Sequence, residues 1–223
     1  MNRASDSQLE ARARLSLGES SEAIYEAAVS ALRRRGGRGT AVDVGCGSGR
    51  IYPLLAGMID SYVGVDAVRY EGFPVEASFA RADLNRERIP VPDASADMTI
   101  SLETIEHLEN PRSFCRDLVR ITKPGGWMLL TTPNQRSLVS LGALLTKEHF
   151  SAFRESSYPA HQTALLDTDL LRMARENNLR DVAIEFTCAG RVPFSGAHYP
   201  RVLSRAFPRA LSDNVLLVAR KPL

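Results

Sequence analysis

Thiols are scarce in this chain of 223 residues: it has three cysteines, Cys46, Cys115 and Cys188, odd in number, far apart and without CxxC spacing. That excludes a disulfide framework and a zinc knuckle, so plain reduced thiols are expected. A surplus of one charge is missing as well, since 28 Lys and Arg stand against 26 Asp and Glu. The net charge of +2 demands no polyanionic partner, so nucleic acid is permitted by the composition without being announced. No apolar run approaches the length of a membrane span, and the polar N-terminus MNRASDSQLEARARLSLGESSE has no apolar targeting core; a soluble, cytoplasmic protein is expected. Internal repeats and low-complexity tracts are absent too. What is present, 44% hydrophobic and 24% charged residues, suits a single globular domain over 1–223 with a sizeable core.

Residues 1–39 read as an N-terminal helical segment, with Ile24, Ala27, Ala28, Ala31 and Leu32 returning to one face until RRRGGRG ends it. TAVDVGCGSGR is a strand breaking into glycines, and IYPLLAGM has helical spacing. SYVGVDAV (61–68) is a second strand ending in Asp66, ASFARADLN a third ending near Asp83, and MTISL a fourth. ETIEHLENPRSFCRDLVRIT is helical, with Ile105, Leu108, Phe114, Leu118, Val119 and Ile121 as a sheet-facing stripe and a break at Pro111. KPGG reads as a turn and WMLLTT as a fifth strand, closing a core over 40–133. The pattern loosens over 134–164 into a polar and aromatic insert with a short apolar helix around Leu138 to Leu145. Over 165–223, LLDTDLLRMARENN is a helix that Asp167 or Thr168 is placed to cap, and LRDVAIEF and NVLLVARK are strands. Strands alternating with helices predict an α/β, doubly wound, mostly parallel sheet with helices on both faces.

In such a sheet the first glycine turn lies at the carboxyl edge of the strands, where ligands bind. VDVGCGSGR has glycines at 45, 47 and 49, with Arg50 where a dinucleotide loop wants its last glycine. A pyrophosphate needs that third glycine for close helix packing, whereas a loop preceded by an acid, Asp43, suits a ligand without phosphates. Cationic S-adenosylmethionine fits. Asp66, about 20 residues beyond the glycines, can accept both ribose hydroxyls. Asp83 can take an adenine amino group, with Leu84 beside it.

From Thr40 to Lys221 the chain resembles the class I S-adenosylmethionine-dependent methyltransferases: VDVGCGSGR, GVDAV, ADLN, MTISLETIEHL and KPGGWMLLTTPN look like five successive motifs of that family. The resemblance implies a Rossmann-like sheet of seven strands, the last antiparallel, with LRDVAIEF and NVLLVARK as the final pair. It implies that Asp43, Gly45, Cys46, Gly47, Gly49, Asp66, Ala67, Asp83, Leu84 and Leu102 line the cofactor.

Glu103, Glu106 and His107 follow the fourth strand, and i, i+3, i+4 spacing places them on one helical face if the helix begins by Glu103. Acids in a first turn answer the helix dipole, and a neighbouring His can be a solvated hydrogen-bonding group, which is the plainer reading. The sharper one is a metal centre. The stretch is similar to the E-x-x-E-H cluster of the ubiquinone-pathway O-methyltransferases and the small-RNA terminal 2′-O-methyltransferases, in which a later histidine completes the site. That resemblance implies Glu103, Glu106, His107 and His161 as ligands of Mg²⁺ or another divalent ion, with His149 the rival for the last position. Without an ion, His107 or His161 would serve as general base on an acceptor hydroxyl.

The insert carries Leu138, Val139, Leu141, Leu144, Leu145, Phe150, Phe153 and Tyr158, either a lid over an apolar substrate or a satellite core. Downstream, Arg191, Arg201, Arg205 and Arg209 alternate with Phe194, Tyr199 and Phe207, a pattern for an acidic substrate, a phosphate-bearing carrier, an anionic membrane surface or a solvated face. The expected reaction is methyl transfer to an oxygen of a small-molecule, glycan or lipid-like acceptor. An RNA 2′-O-methyltransferase and a non-catalytic S-adenosylmethionine-binding protein are the alternatives.

Overall fold

The computed structural model describes residues 18–193 and 195–223, so the helical reading of residues 1–17, and Phe194, lie outside the described residues. Among these the chain runs α1 (Glu22–Arg34), β1 (Gly39–Val44), β2 (Ile59–Asp66), β3 (Ser78–Arg81), β4 (Ala96–Ser101), α2 (Pro111–Ile121), β5 (Thr122–Pro133), α3 (Leu138–Lys147), α4 (Asp167–Glu176), β6 (Arg180–Phe186), α5 (Arg201–Ala206) and β7 (Asn214–Arg220). The strands form one sheet in the order β3-β2-β1-β4-β5-β7-β6. β7 is antiparallel to both β5 and β6, and the remaining pairings are parallel. This is the seven-stranded, mostly parallel arrangement expected.

β1 and β4 occupy the middle because their residues tolerate cover on both faces: Ala41, Val42, Val44, Met98, Thr99 and Ile100 are almost wholly buried. On one face Ile24, Ala28 and Leu32 of α1 pack over Ala41, Met98 and Leu129. On the other, Phe114 and Leu118 of α2 and Leu170 and Met173 of α4 pack over Val42, Met128 and Leu217. Truncating a fully buried Leu32 to Ala should cost about 2–5 kcal/mol. Strand order reverses between β1 and β4, so their carboxyl ends open a crevice.

Local chemistry shifted several boundaries. IYPLLAGM forms only a 3₁₀ turn, Tyr52–Leu55, because Pro53 lies in its first positions and Gly57 follows; it still buries Ile51, Leu55 and Met58. KPGG is not a free turn but the first part of β5: Gly125, at φ +76°, donates its amide to the Lys221 carbonyl at 2.9 Å. The expected helix over 103–121 is two pieces, a 3₁₀ turn at Ile105–His107 and then α2. Pro111 starts α2 rather than interrupting it, with the Asn110 side chain accepting from the Ser113 amide at 3.0 Å. α4 is capped at neither Asp167 nor Thr168. Asp169 accepts from the Leu166 amide at 3.1 Å, while buried Asp167 turns to Arg136 at 3.2 Å and Arg209 at 2.9 Å.

Leu138, Leu141, Leu144 and Leu145 on α3 stay exposed, so these leucines of the insert form no satellite core. No helix among the described residues is long and apolar enough to cross a membrane.

Candidate active site

β1 ends in a loop that only glycine can build. Gly45 (φ +75°) and Gly47 (φ +53°) sit where an added Cβ would lie 2.1 Å from the Thr104 hydroxyl and 1.9 Å from the Gly18 carbonyl. The loop is tied to the end of β2 through Asp66, whose two carboxylate oxygens accept from the Ala67 amide at 2.7 Å and the Gly47 amide at 2.9 Å. Each oxygen keeps a lone pair for a ligand hydroxyl. Burial raises the pKa of Asp66 against these amide bonds. Asp43, 3% exposed, is pushed up to about 7 by burial; the Tyr62 hydroxyl, donating at 2.5 Å, opposes the rise and the charge of Asp66 adds to it. No ion pair reaches either acid among the described residues, so both would gain from a cationic ligand. That donor set fits a sulfonium.

Asp43, Gly45, Cys46, Asp66, Ala67, Asp83, Leu84 and Leu102 all line one crevice of about 560 Å³. Burial and the two nearby acids hold the Cys46 thiol neutral. Gly47 and Gly49 do not line it: Gly47 lies under the Gly18 carbonyl and Gly49 against Pro74, so they shape the turn instead. Asp83 lies two residues past the end of β3, its Oδ1 accepting from the Asn85 amide at 3.0 Å. Sequence reasoning missed Ser20, Ser21 and Tyr25 on the α1 side, Asn85 after β3, and Ser156 and Ser157 in the insert; Tyr158, expected in a lid or a satellite core, lines the crevice. Asn85 closes the ADLN motif beside Asp83 and Leu84; the others lie in no motif, and only the general position of the N-terminal helix and the insert pointed to them.

The ETIEH stretch departs from a single helical face. Glu103 precedes the 3₁₀ turn with φ +48°, a left-handed conformation, and so does not stack over Glu106. Its amide donates to the Thr131 hydroxyl at 2.9 Å, that hydroxyl donates to Glu103 Oε1 at 2.7 Å, and the Asn214 side chain donates to Oε2 at 2.7 Å. The residue as a whole is half-buried but its carboxyl is enclosed, which pushes the pKa up to about 7 against those two hydrogen bonds. Glu106, His107 and His161 do converge, with ligand atoms within 4.8 Å of one another. The metal set expected from the sequence thus loses Glu103 and keeps three members. His149 takes no part, its Nδ1 facing the Phe150 carbonyl at 3.0 Å.

His161 reaches this place through backbone: the Gln162 and Thr163 amides donate to the Glu106 carbonyl at 2.9 and 3.0 Å, and the Thr163 hydroxyl to the Leu108 carbonyl at 2.7 Å. The rings of His107 and His161 stand edge to face with centroids 4.8 Å apart. His107 Nδ1 faces the Ala160 carbonyl at 2.8 Å and His161 Nδ1 the Ala152 carbonyl at 2.6 Å. A carbonyl only accepts, so Nδ1 carries the proton in both rings and Nε2 is the lone-pair nitrogen. Burial lowers the pKa of His161, against the pull of the Ala152 carbonyl. Glu106 is fully buried, and neither of its oxygens, nor the neighbouring Thr132 hydroxyl, sits in hydrogen-bonding geometry with a partner among the described residues. Burial, then the charge of Glu103, raises its pKa well above the usual carboxylate range; its own amide and Thr132 lie near enough to oppose this only weakly.

The downstream arginines are mostly engaged: Arg191 with Asp213 at 2.5 Å, Arg201 with Glu26 at 3.4 Å and Arg209 with Asp167.

A family model described as a methyltransferase domain matches residues 19–184. A probable S-adenosylmethionine-dependent methyltransferase of Mycolicibacterium smegmatis is 27% identical over 179 residues, covering 77% of this chain and 65% of that protein. The mitochondrial ubiquinone biosynthesis O-methyltransferase of Arabidopsis thaliana is 33% identical over 103 residues, 42% of this chain and 32% of that protein. The chain therefore spans less than two thirds of the length of these relatives. Among solved structures, a methyltransferase from Archaeoglobus fulgidus described as dependent on S-adenosylmethionine superposes with a TM-score of 0.62 at 20% identity, over 88% of this chain and 94% of that one, a likeness of fold.

Proposed function

This chain belongs to the class I S-adenosylmethionine-dependent methyltransferases, and we propose that it delivers the methyl group to a hydroxyl oxygen of a small-molecule, glycan or lipid-like acceptor. The observation that carries this reading is the pair of imidazoles, each with Nδ1 turned to a carbonyl, beside an enclosed carboxylate without a partner. Bound S-adenosylmethionine supplies an electrophilic methyl on sulfur, and transfer breaks the sulfur–carbon bond, forms a carbon–oxygen bond and releases the hydroxyl proton. His161, kept neutral by burial, accepts that proton on Nε2, while the Ala152 carbonyl holds the ring and stabilises the charge it gains. His107 orients the acceptor from the facing ring. Asp66 holds ligand hydroxyls, Asp83 and Leu84 flank the adenine, and Leu102 packs on the adenosine.

Glu106, His107 and His161 also fit a divalent cation such as Mg²⁺ or Mn²⁺, because a buried carboxylate with no partner lacks the positive charge that would let it ionise. An ion there would acidify an acceptor hydroxyl.

The test is calorimetric titration of S-adenosylhomocysteine into chelator-treated protein, followed by Mg²⁺ and Mn²⁺ titrations of the parent, Glu106→Gln and His161→Ala. Nucleoside binding is expected in all three proteins and ion binding in the parent alone. Absence of nucleoside binding would refute the assignment. Label transfer from S-adenosylmethionine to amines but not to hydroxyls would refute the oxygen acceptor.

A further inference from the structure

A second cavity of about 810 Å³ lies beside the cofactor crevice and meets it at Ser21, Ile24 and Glu103. Its volume falls within the range of small-molecule sites. Glu103 forms the partition: its backbone is held left-handed and its carboxyl is fixed by Thr131 and Asn214, two hydrogen bonds that leave one lone pair on each oxygen. The far wall is equally defined. Arg191 and His198 form an antiparallel bridge, the Val192 amide donates to the Ala197 carbonyl at 2.9 Å, and the Tyr199 amide donates to the Gly190 carbonyl at 2.9 Å. Ala152, whose carbonyl fixes His161, belongs to the same cavity, so the candidate base has its support there.

Most of the charges on these walls already have partners. Arg191 pairs with Asp213 at 2.5 Å, Arg201 with Glu26 at 3.4 Å, and Glu22 with Arg50 at 3.8 Å. A phosphate or carboxylate would find no unengaged guanidinium, and an ammonium would find Glu22, Glu26 and Asp213 already paired and Glu103 already hydrogen-bonded. A hydrocarbon chain would find Ile24, Pro133, Cys188 and three alanines, interrupted by charged and hydroxyl side chains. What the walls do offer is hydrogen bonding from Ser21, Ser151, His198 and Asn214, with the Tyr199 ring among them. Hydroxyls that both donate and accept match such a set, and the C–H face of a pyranose matches an aromatic ring.

We propose that this cavity seats a neutral, polyhydroxylated acceptor of saccharide type, with Glu103 accepting a hydrogen bond from one acceptor hydroxyl where the cavity opens into the crevice. The assignment rests on the methyl-transfer reading above. It is tested by label transfer from S-adenosylmethionine to a panel of methyl glycosides and free disaccharides, with catechol and ethanolamine as non-saccharide acceptors, in the parent, Ala189→Phe, which narrows the cavity, and Tyr199→Ala. S-adenosylhomocysteine titration of each protein reads the crevice separately. Glycosides should be labelled, and both variants should raise the glycoside KM about tenfold or more while leaving kcat and nucleoside affinity within about twofold. Preferential labelling of catechol or ethanolamine, or a glycoside KM that neither variant moves, overturns the proposal. A parent protein that binds the nucleoside but labels no glycoside overturns it while leaving the cofactor assignment standing. A parent that binds no nucleoside removes the methyl-transfer reading, and this one with it.

Discussion

Asp66 and His161 line the same crevice but are held by different means. Asp66 ends a strand of the sheet, and its neighbours, Gly45 and Gly47, have conformations that no other residue adopts at such close approach. His161 lies in irregular chain at the end of a segment whose leucines are exposed, and backbone hydrogen bonds to the 3₁₀ turn secure it. One half of the site is therefore specified by residue type and the other by where a loop is fastened. The first tolerates little substitution, whereas the second tolerates much, except at the few groups that do chemistry.

The strongest test of this contrast is His161→Ala. Label transfer should fall by about 10²–10⁴-fold, the usual contribution of a positioned base, with nucleoside affinity unchanged. A parallel loss of nucleoside binding would show that the two halves are not separable. In the parent, kcat plotted against pH should fall on the acid side as His161 takes up its proton, with the midpoint lying below that of an ordinary histidine.

Next in size, Gly45→Ala should weaken S-adenosylhomocysteine binding by about 100-fold, the upper range of about 3 kcal/mol for a side chain forced into such backbone, and lower Tm as well. An unaffected titration would mean that the loop yields as readily as the insert.

A smaller effect concerns pH. The folded-state pKa of Asp43, about 7, lies above its ordinary 3.8, so the stabilisation tied to its proton is complete below about 4 and lost as pH rises through about 7. The ligand-free protein should therefore melt at a lower temperature at pH 8 than at pH 5, with about 2–4 kcal/mol of the loss due to Asp43; Asp43→Asn should remove that share and leave the part due to Glu103 and Glu106, whose carboxyls are raised in the same direction. S-adenosylhomocysteine carries no sulfonium, so S-adenosylmethionine should offset more of the loss at pH 8 than S-adenosylhomocysteine does.

The smallest effect is expected on α3, where Leu145→Ser, at a residue 85% exposed, should change stability by no more than about 0.5 kcal/mol. Chemical denaturation of this variant beside Leu32→Ala would set the two kinds of leucine on one scale.

The same contrast explains what could be read from the residues. Val42, Val44, Asp66 and the glycines were legible because strand burial and left-handed turns each select a few residue types, and those selections recur along the chain at fixed distances. Glu103 was misplaced because its conformation depends on Thr131 and Asn214, which are remote in sequence, and these override the helical spacing it shares with Glu106. Ser20, Ser21 and Tyr25 were invisible because pocket walls made from ordinary polar residues leave no periodic mark. The pairing of His161 with His107 was anticipated only through resemblance; no local rule would have brought positions 107 and 161 together.

The attachment of residues 162 and 163 to the Glu106 carbonyl is made by main-chain amides. Such a joint is indifferent to side-chain identity, and it lies downstream of the insert. Residues could be added to or removed from the stretch ahead of Ala152 while the backbone at this joint and the Ala152 carbonyl keep the His161 imidazole in place. The construction is that of an exchangeable fitting: a fixed socket at the 3₁₀ turn, and ahead of it a length of chain that can be re-cut for a different acceptor while the base stays in register.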